Sequence, residues 1–480
     1  MANAVKKDRE LLYIAIYFVI VALFFFVIPP IEPITKPGMR VLGLFFAAIF
    51  GWTASSEVWP SIFTTVLFMF TGLMDITSML AATWGGDIFL FMVFMFMVVA
   101  YLQYSGASKF ASAWLLTRKF LIGHPWRIIG MLMVIAWLLS IFAGILAGLL
   151  ITWGFIYQIC GLMGYKPFSK EASAMIFGVG LVGALSLSTV PFLHNALVIL
   201  AAFTSSTGIE INLLHYLAYT VPTDLLCIAA YLLMCKFVFR IDVSKMKEMT
   251  VDFIPAEDLV CTKEVAYALI FLVVLVAALL LPNVLPATVP LKSVIKSIGN
   301  SGICFIVFGI WSLIKVNDKK IFDIGQLAAK GINWNMLLMT FGIFGFISLL
   351  ANPATGISAF LGAHLAPIFM GKPIVLFVII AMLITIILTN FMINMVIAVL
   401  MMAATFPVAT QLGIDVTQLG YLYTVCATIA FCLPAASPAG MLLFANKEWL
   451  NAKEIYKFAI PTALVMAVVA LLWNLILFKF

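Results

Sequence analysis

The chain has 480 residues, 65% of them hydrophobic and 10% charged, with a formal net charge of +7. A soluble domain is about 45–50% apolar and about 25% charged, so the composition excludes one and places the chain in lipid. The basic excess lies in loops between apolar runs rather than in one cluster, which excludes a nucleic-acid partner.

Residues 1–37 open with "MANAVKKDRE", followed by "LLYIAIYFVIVALFFFVIP". A signal peptide would end in a small-residue cleavage site. None follows, so a retained first transmembrane helix is expected over 10–29. At about 20 apolar residues per crossing, further spans are predicted over 38–53, 58–74, 87–106, 172–203, 212–237, 264–283, 299–315, 333–351, 417–446 and 455–478. Two apolar stretches, 126–162 and 373–408, are too long for a single span. Each is two full spans or a re-entrant hairpin. The hydrophilic stretch 241–263 reads as a cytoplasmic connector.

With the N-terminus in the cytoplasm, 21 of the 27 Lys and Arg fall on the cytoplasmic side. Such a positive-inside bias sets orientation in a cytoplasmic membrane. It leaves hairpin depth open, because either reading counts as an even number of crossings.

One order of elements recurs in 38–240 and in 264–480: three spans, a surface helix, a hairpin, a broken span and a last span. The surface helices are "SKFASAWLLTRKFLIG" (108–123) and "SAFLGAHLAPIFMGKP" (358–373). The hairpin middles are "SIFAGILAGLLI" (140–151) and "TNFMINMVIAVL" (389–400). The spans interrupted by proline are "LSTVPFLHNALVI" (187–199) and "CLPAASPAGMLLF" (432–444). The charge count gives the two copies opposite orientations. Inverted repeats with broken helices are the signature of secondary transporters. Non-helical backbone at membrane depth is tolerated only where it is buried or lines a cavity, so the breaks are expected to build a site. The expected fold is therefore an all-α integral membrane protein, with about 11 transmembrane helices, two re-entrant hairpins, an inverted repeat and two broken helices.

"YLQYSGASKFASAWLLTR" (101–118) and "LTNFMINMVIAVLMM" (388–402) resemble the approach to the first hairpin and the second hairpin of the divalent anion:sodium symporter family, within the ion transporter superfamily. The resemblance follows nearly the whole chain in order and spacing. It implies a homodimer, each protomer with a scaffold and a moving transport domain of hairpins and broken helices, carrying a small anion by an elevator mechanism. Its signatures are degenerate here. Ile393-Asn394-Met395 occupies the second Ser-Asn-Thr position and Gly144-Ile145-Leu146 the first. Ala436-Ser437-Pro438 fits the second broken-helix signature, and Phe192-Leu193-His194-Asn195 aligns with the first. The resemblance implies substrate contacts from Asn394, Asn390, Ser437, Pro438, His194, Asn195 and Thr189. It implies ion contacts from Asn394, Ala436, Gly144 and Ser188. No cofactor is expected beyond a coupling ion, sodium or a proton, and Gly144-Ile145-Leu146 offers no side-chain oxygen to sodium.

His194 is either a hydrogen-bonded core residue or the positive charge that sodium supplies in the family, since intramembrane ionisable groups are functional by default. The acidic residues nearest the membrane, Glu57, Asp75, Asp87 and Asp224, fall near predicted span ends. Solvated or structural roles are expected there, and the absence of a carboxylate from hairpins and breaks argues against a carboxylate proton relay. The rival readings are a cation/proton antiporter of the same superfamily and a membrane-embedded enzyme or sensor. An enzyme would need grouped residues, whereas the four histidines are scattered and the seven cysteines lack metal-ligand spacing.

Overall fold

The structure, a computed structural model, describes residues 2–478 apart from 55–57, 86, 122, 249–255, 287, 317–318, 333, 371 and 435. Part of the expected connector, 249–255, therefore lies outside the described residues. Helix α1 (Ala2–Ala22) passes into a π-helical turn over Leu23–Val27. The first set of elements is α2 (Lys36–Ala54), α3 (Trp59–Leu67), α4 (Ile76–Ala82), α5 (Asp87–Tyr104), α6 (Ala107–Leu116), α7 (Pro125–Ala143), α8 (Ile145–Met163), α9 (Lys170–Thr189), α10 (His194–Thr207) and α11 (Leu213–Leu233). The second is α12 (Lys263–Val284), α13 (Pro290–Ser312), α14 (Ile324–Gly331), α15 (Trp334–Ala351), α16 (Ile357–Phe369), α17 (Ile374–Thr389), α18 (Asn394–Gln411), α19 (Val416–Cys426), α20 (Pro438–Ala445) and α21 (Ala452–Phe478).

Among the described residues, nine helices are long and apolar enough to cross a membrane, or ten with the bent pair α5–α6 counted as one span. The protein is an all-α integral membrane protein. The expected span 299–315 starts earlier, at Pro290, because the helix runs on through a kink at Gly299, where φ is 65°.

The chain forms two compact units, each mixing segments of both sets. One comprises Met1–Phe89, Val198–Ile211 and Asn333–Ala427. There α15 packs against α2 and α3, and Phe346 meets Phe68 edge-on at 4.8 Å and Phe45 at 5.3 Å. Helix α18 packs against α16, α17 and α19.

The other unit comprises Leu90–Leu197, Asn212–Ile332 and Thr428–Phe480. Its centre is α9, buried at every residue from Ala172 to Thr189. A helix apolar on all sides belongs inside a bundle, and α9 is surrounded by α7, α8, α11, α20 and α21. Small residues allow the close approach. A Cβ at Gly183 would lie 2.3 Å from Leu149 Cδ1, and one at Gly180 2.5 Å from Leu443. Arms α7 and α8 are joined by one residue, Gly144, at φ 84° and ψ 154°. Side chains rarely adopt that conformation. Gly148 then lets the arms touch, since a Cβ there would sit 2.1 Å from Ser140 Oγ.

Candidate functional site

Helix α9 stops because Pro191 cannot continue it and forces the residue before it out of the helical region. Val190 is accordingly extended, at φ −106° and ψ 124°. The break frees carbonyls that would otherwise bond within the helix, and in lipid these must find partners. Helix α11 supplies them. Tyr216 donates its hydroxyl to the Ser188 carbonyl, and Thr220 donates to the Thr189 carbonyl at 2.7 Å. Four residues further along the same stripe stands Asp224. Its Oδ2 accepts the Thr189 hydroxyl and, at 3.0 Å, the Trp137 indole N–H.

Asp224 corrects a sequence expectation. It is not solvated near a span end but 0% exposed in the middle of α11, and its Oδ1 has no partner among the described residues. Pro222 sits inside the helix. Neighbouring helices can satisfy the backbone group such a proline frees. Of the other acidic residues, Glu57 lies outside the described residues, as does the side chain of Asp87, the first residue of α5. Asp75 is exposed and caps α4 by accepting the Ser78 N–H at 2.7 Å, which holds its carboxyl below the usual range.

After the break, the chain resumes at His194 in the left-handed region, φ 49°, a conformation uncommon outside glycine. Its Nε2 lies 2.7 Å from the Ile141 carbonyl. A carbonyl only accepts, so Nε2 carries the proton. Ile141 is three residues before Gly144, so the first hairpin tip is pinned at the level of the first break. Gln103 donates to the Ala143 carbonyl at that tip. Asn195 is buried beside His194.

The second break runs from the end of α19 to Ser437, which caps α20. Ser437 accepts the Gly440 N–H at 3.0 Å and donates to the Ala430 carbonyl. Pro438 opens α20 where no N–H is needed, and Ala436 is buried. The two breaks meet where Ser188 Oγ lies 3.2 Å from Thr428 Oγ1.

The second hairpin tip belongs to the other unit. Thr389 donates to the Ala427 carbonyl at the end of α19, at 2.6 Å, and lies 3.1 Å from Asn394 Oδ1. Asn390 donates to the Ile386 carbonyl at 2.8 Å. Asn394 is buried and its Nδ2 has no partner among the described residues, which is expensive for an amide. Each tip is thus tied to a break by a hydrogen bond.

Ser188, Thr189, His194, Asn195, Gly144, Ala436, Ser437 and Pro438 gather in one unit, while Asn390 and Asn394 belong to the other. Sequence reasoning missed Asp224, Thr389, Thr428, Tyr216 and Thr220. Their signal was present only as i, i+4 spacing on α11 and as hydroxyls beside the breaks. Helices α8, α10 and α20 all begin at the first tip or the breaks, and a helix N-terminus carries about half a positive charge. No Lys, Arg, Asp or Glu occurs in 137–150, 186–199, 386–399 or 428–440. Apart from Asp224, which α11 brings to the first break, the backbone dipoles at the tips and breaks favour an anion. Among the described residues, no three His, Cys, Asp or Glu side chains form a metal-binding group. A cavity of about 380 Å³ lined by α10 and α18, including Ser206, Met402 and Phe406, contains none of these residues and no charge.

A family model described as citrate transporter, CitMHS, matches residues 13–352. The match covers the first tip and the first break and ends before the second hairpin. No curated protein matches in sequence. The crystal structure of the Alcanivorax borkumensis YdaH transporter, which has an unusual topology, is 15% identical, with a TM-score of 0.58 over 98% of this chain and 97% of that one. MtrF of Neisseria gonorrhoeae, which illuminates a class of antimetabolite efflux pumps, is 11% identical, with a TM-score of 0.56 over 95% and 96% of the two chains. At these identities the likeness shows a shared fold.

Proposed function

We propose, from the premise that the chain belongs to the citrate transporter family, that its cargo is a small carboxylate anion moved by alternating access. A member of that family is a secondary transporter of small anions and not an enzyme. The observation that carries the finer reading is the meeting of two broken helices, Ser188 to Thr428, beside helix N-termini and without a fixed Lys or Arg. An anion leaving water loses hydration worth several kcal/mol, and helix N-termini supply part of the compensation. Asn394 and Asn390 from the second tip, with His194, Asn195, Thr189, Ser437 and Pro438 from the breaks, are the proposed substrate contacts. Gly144, Ser188, Ala436 and Asn394 are the proposed ion contacts. Finer likeness to the divalent anion:sodium symporters implies a homodimer in the cytoplasmic membrane and an elevator motion of hairpins with broken helices.

The test is uptake by purified protein in liposomes, with a panel of anions and imposed sodium or pH gradients. Accumulation of a di- or tricarboxylate is expected. Proton flux driven by a cation gradient without any anion would overturn the reading in favour of cation/proton exchange.

A further inference from the structure

We propose that Asp224 is a proton-exchanging carboxyl at the first break, binding its proton together with the anion. The anion partner and the coupling proton rest on the transport reading above; the seat of that proton is additional. The carboxyl is fully enclosed, its Oδ2 taken by the donors of Thr189 and Trp137 and its Oδ1 left without a partner among the described residues. No ion pair reaches it among the described residues, where the pair within range is Lys457 with Glu454. With both donors on Oδ2 and none on Oδ1, Oδ1 is the oxygen free to take a proton. The Trp137 N–H directed at Oδ2 also leaves that oxygen poorly disposed to a metal cation.

The surrounding elements offer no substitute charge. On α7 the charged group is Arg127, about 15 Å along the helix from Trp137. On α9 they are Lys170 and Glu171, about 27 Å or more from Thr189. Helix α12 has Lys263, Glu264 and Tyr267 in its first five residues. Helix α21 has Lys453, Glu454, Tyr456 and Lys457 in its first six, whereas Tyr219 of α11 meets it at Ala470. On α11 itself stand His215, Tyr216, Tyr219, Cys227 and Tyr231, and just after it Cys235 and Lys236. Tyr216, Tyr219 and Tyr231 donate to carbonyls. His194, the other titratable group at the break, is turned to Ile141.

A closed break around an ionised Asp224 would enclose an uncompensated charge. A proton from water on the open side settles on Oδ1, and the neutral carboxyl permits closure. Opening toward the other side admits water, which takes the proton and solvates the carboxylate. One proton moves per cycle, and nothing is oxidised or reduced. A neutral Asp224 also spares a bound anion the repulsion of a second negative charge, so proton and anion bind together.

The experiment is infrared difference spectroscopy of the full-length protein in liposomes, between about pH 5 and 9. A carbonyl stretch of a buried carboxylic acid is expected, growing when a transported carboxylate is added and lost in Asp224→Asn. In the same liposomes, Asp224→Asn should keep anion-for-anion exchange and lose uptake driven by a pH gradient. If Asp224→Asn does not fold, Trp137→Phe removes one donor from Oδ2 and should shift the band. A band untouched by either substitution, or full pH-driven uptake by Asp224→Asn, overturns the proposal. Should the wild type move no anion, the transport reading fails by itself, and the band still decides Asp224.

Discussion

Two side chains at the first break, His194 and Thr220, each bond a backbone carbonyl, and both can be tested singly. His194 already uses Nε2 as a donor to Ile141, so Nδ1 is the atom left to gain or lose a proton. If the imidazolium compensates the anion, substrate affinity rises as pH falls through the histidine range, ordinarily near 6.5. His194→Gln keeps a side-chain donor and should remove the histidine part of that profile, leaving the part carried by Asp224, while preserving the fold. Substrate binding across about pH 5 to 8 checks it, and an unaltered profile in a folded variant removes His194 from the mechanism. Thr220 has a structural task, satisfying the carbonyl that the break frees at Thr189. Thr220→Val strips that partner at constant shape and should cost about 1–3 kcal/mol, read as a lower unfolding temperature in detergent.

The hairpins are the elements on which the membrane topology turns. Each arm of the first has 19 residues, about 28 Å, so length alone permits a full crossing. The hydrogen bond from His194 places the tip level with a break, however, and the broken span Lys170–Thr207 has 38 residues, far more than one crossing needs. We expect a re-entrant hairpin, with cysteines at positions 126 and 162 labelled from the same face of the membrane; labelling from opposite faces would refute it. The tip itself bears on coupling. Gly144-Ile145-Leu146 brings no side-chain oxygen, and a hard cation wants oxygen ligands. Sodium should therefore stimulate uptake weakly or not at all. A steep sodium dependence with a Hill slope near two, about two ions per cycle, would contradict this reading of the tip.

On the scale of the whole molecule, charge sets orientation. With 21 of 27 Lys and Arg assigned to one side, the positive-inside rule expects a cytoplasmic N-terminus and a C-terminus outside. Reporter fusions check this. Alkaline phosphatase joined after residue 480 should be active, and a fluorescent protein there should stay dark.

The sequence by itself determined what depends on composition and local chemistry. Apolar excess dictated a membrane protein, Pro191 and Pro438 marked the breaks, Gly144 marked a tip, and recurrence of one order of elements gave the expectation of a repeat. These are legible because a proline or a run of apolar residues acts on its own neighbours, wherever the chain later goes. What the sequence could not express is which freed backbone group meets which side chain. Asp224 was expected in a solvated or structural role near a span end, and only the packing of α11 against α9 and α7 encloses it with Thr189 and Trp137. Thr389 looked like any helical threonine until the end of α19 was brought to it. Ser437, a candidate for substrate, turned out also to cap α20. The tertiary structure decided Asp224 and Thr389 because a buried polar group is defined by its partner, and the partners Thr189 and Ala427 lie 35 and 38 residues away in the chain.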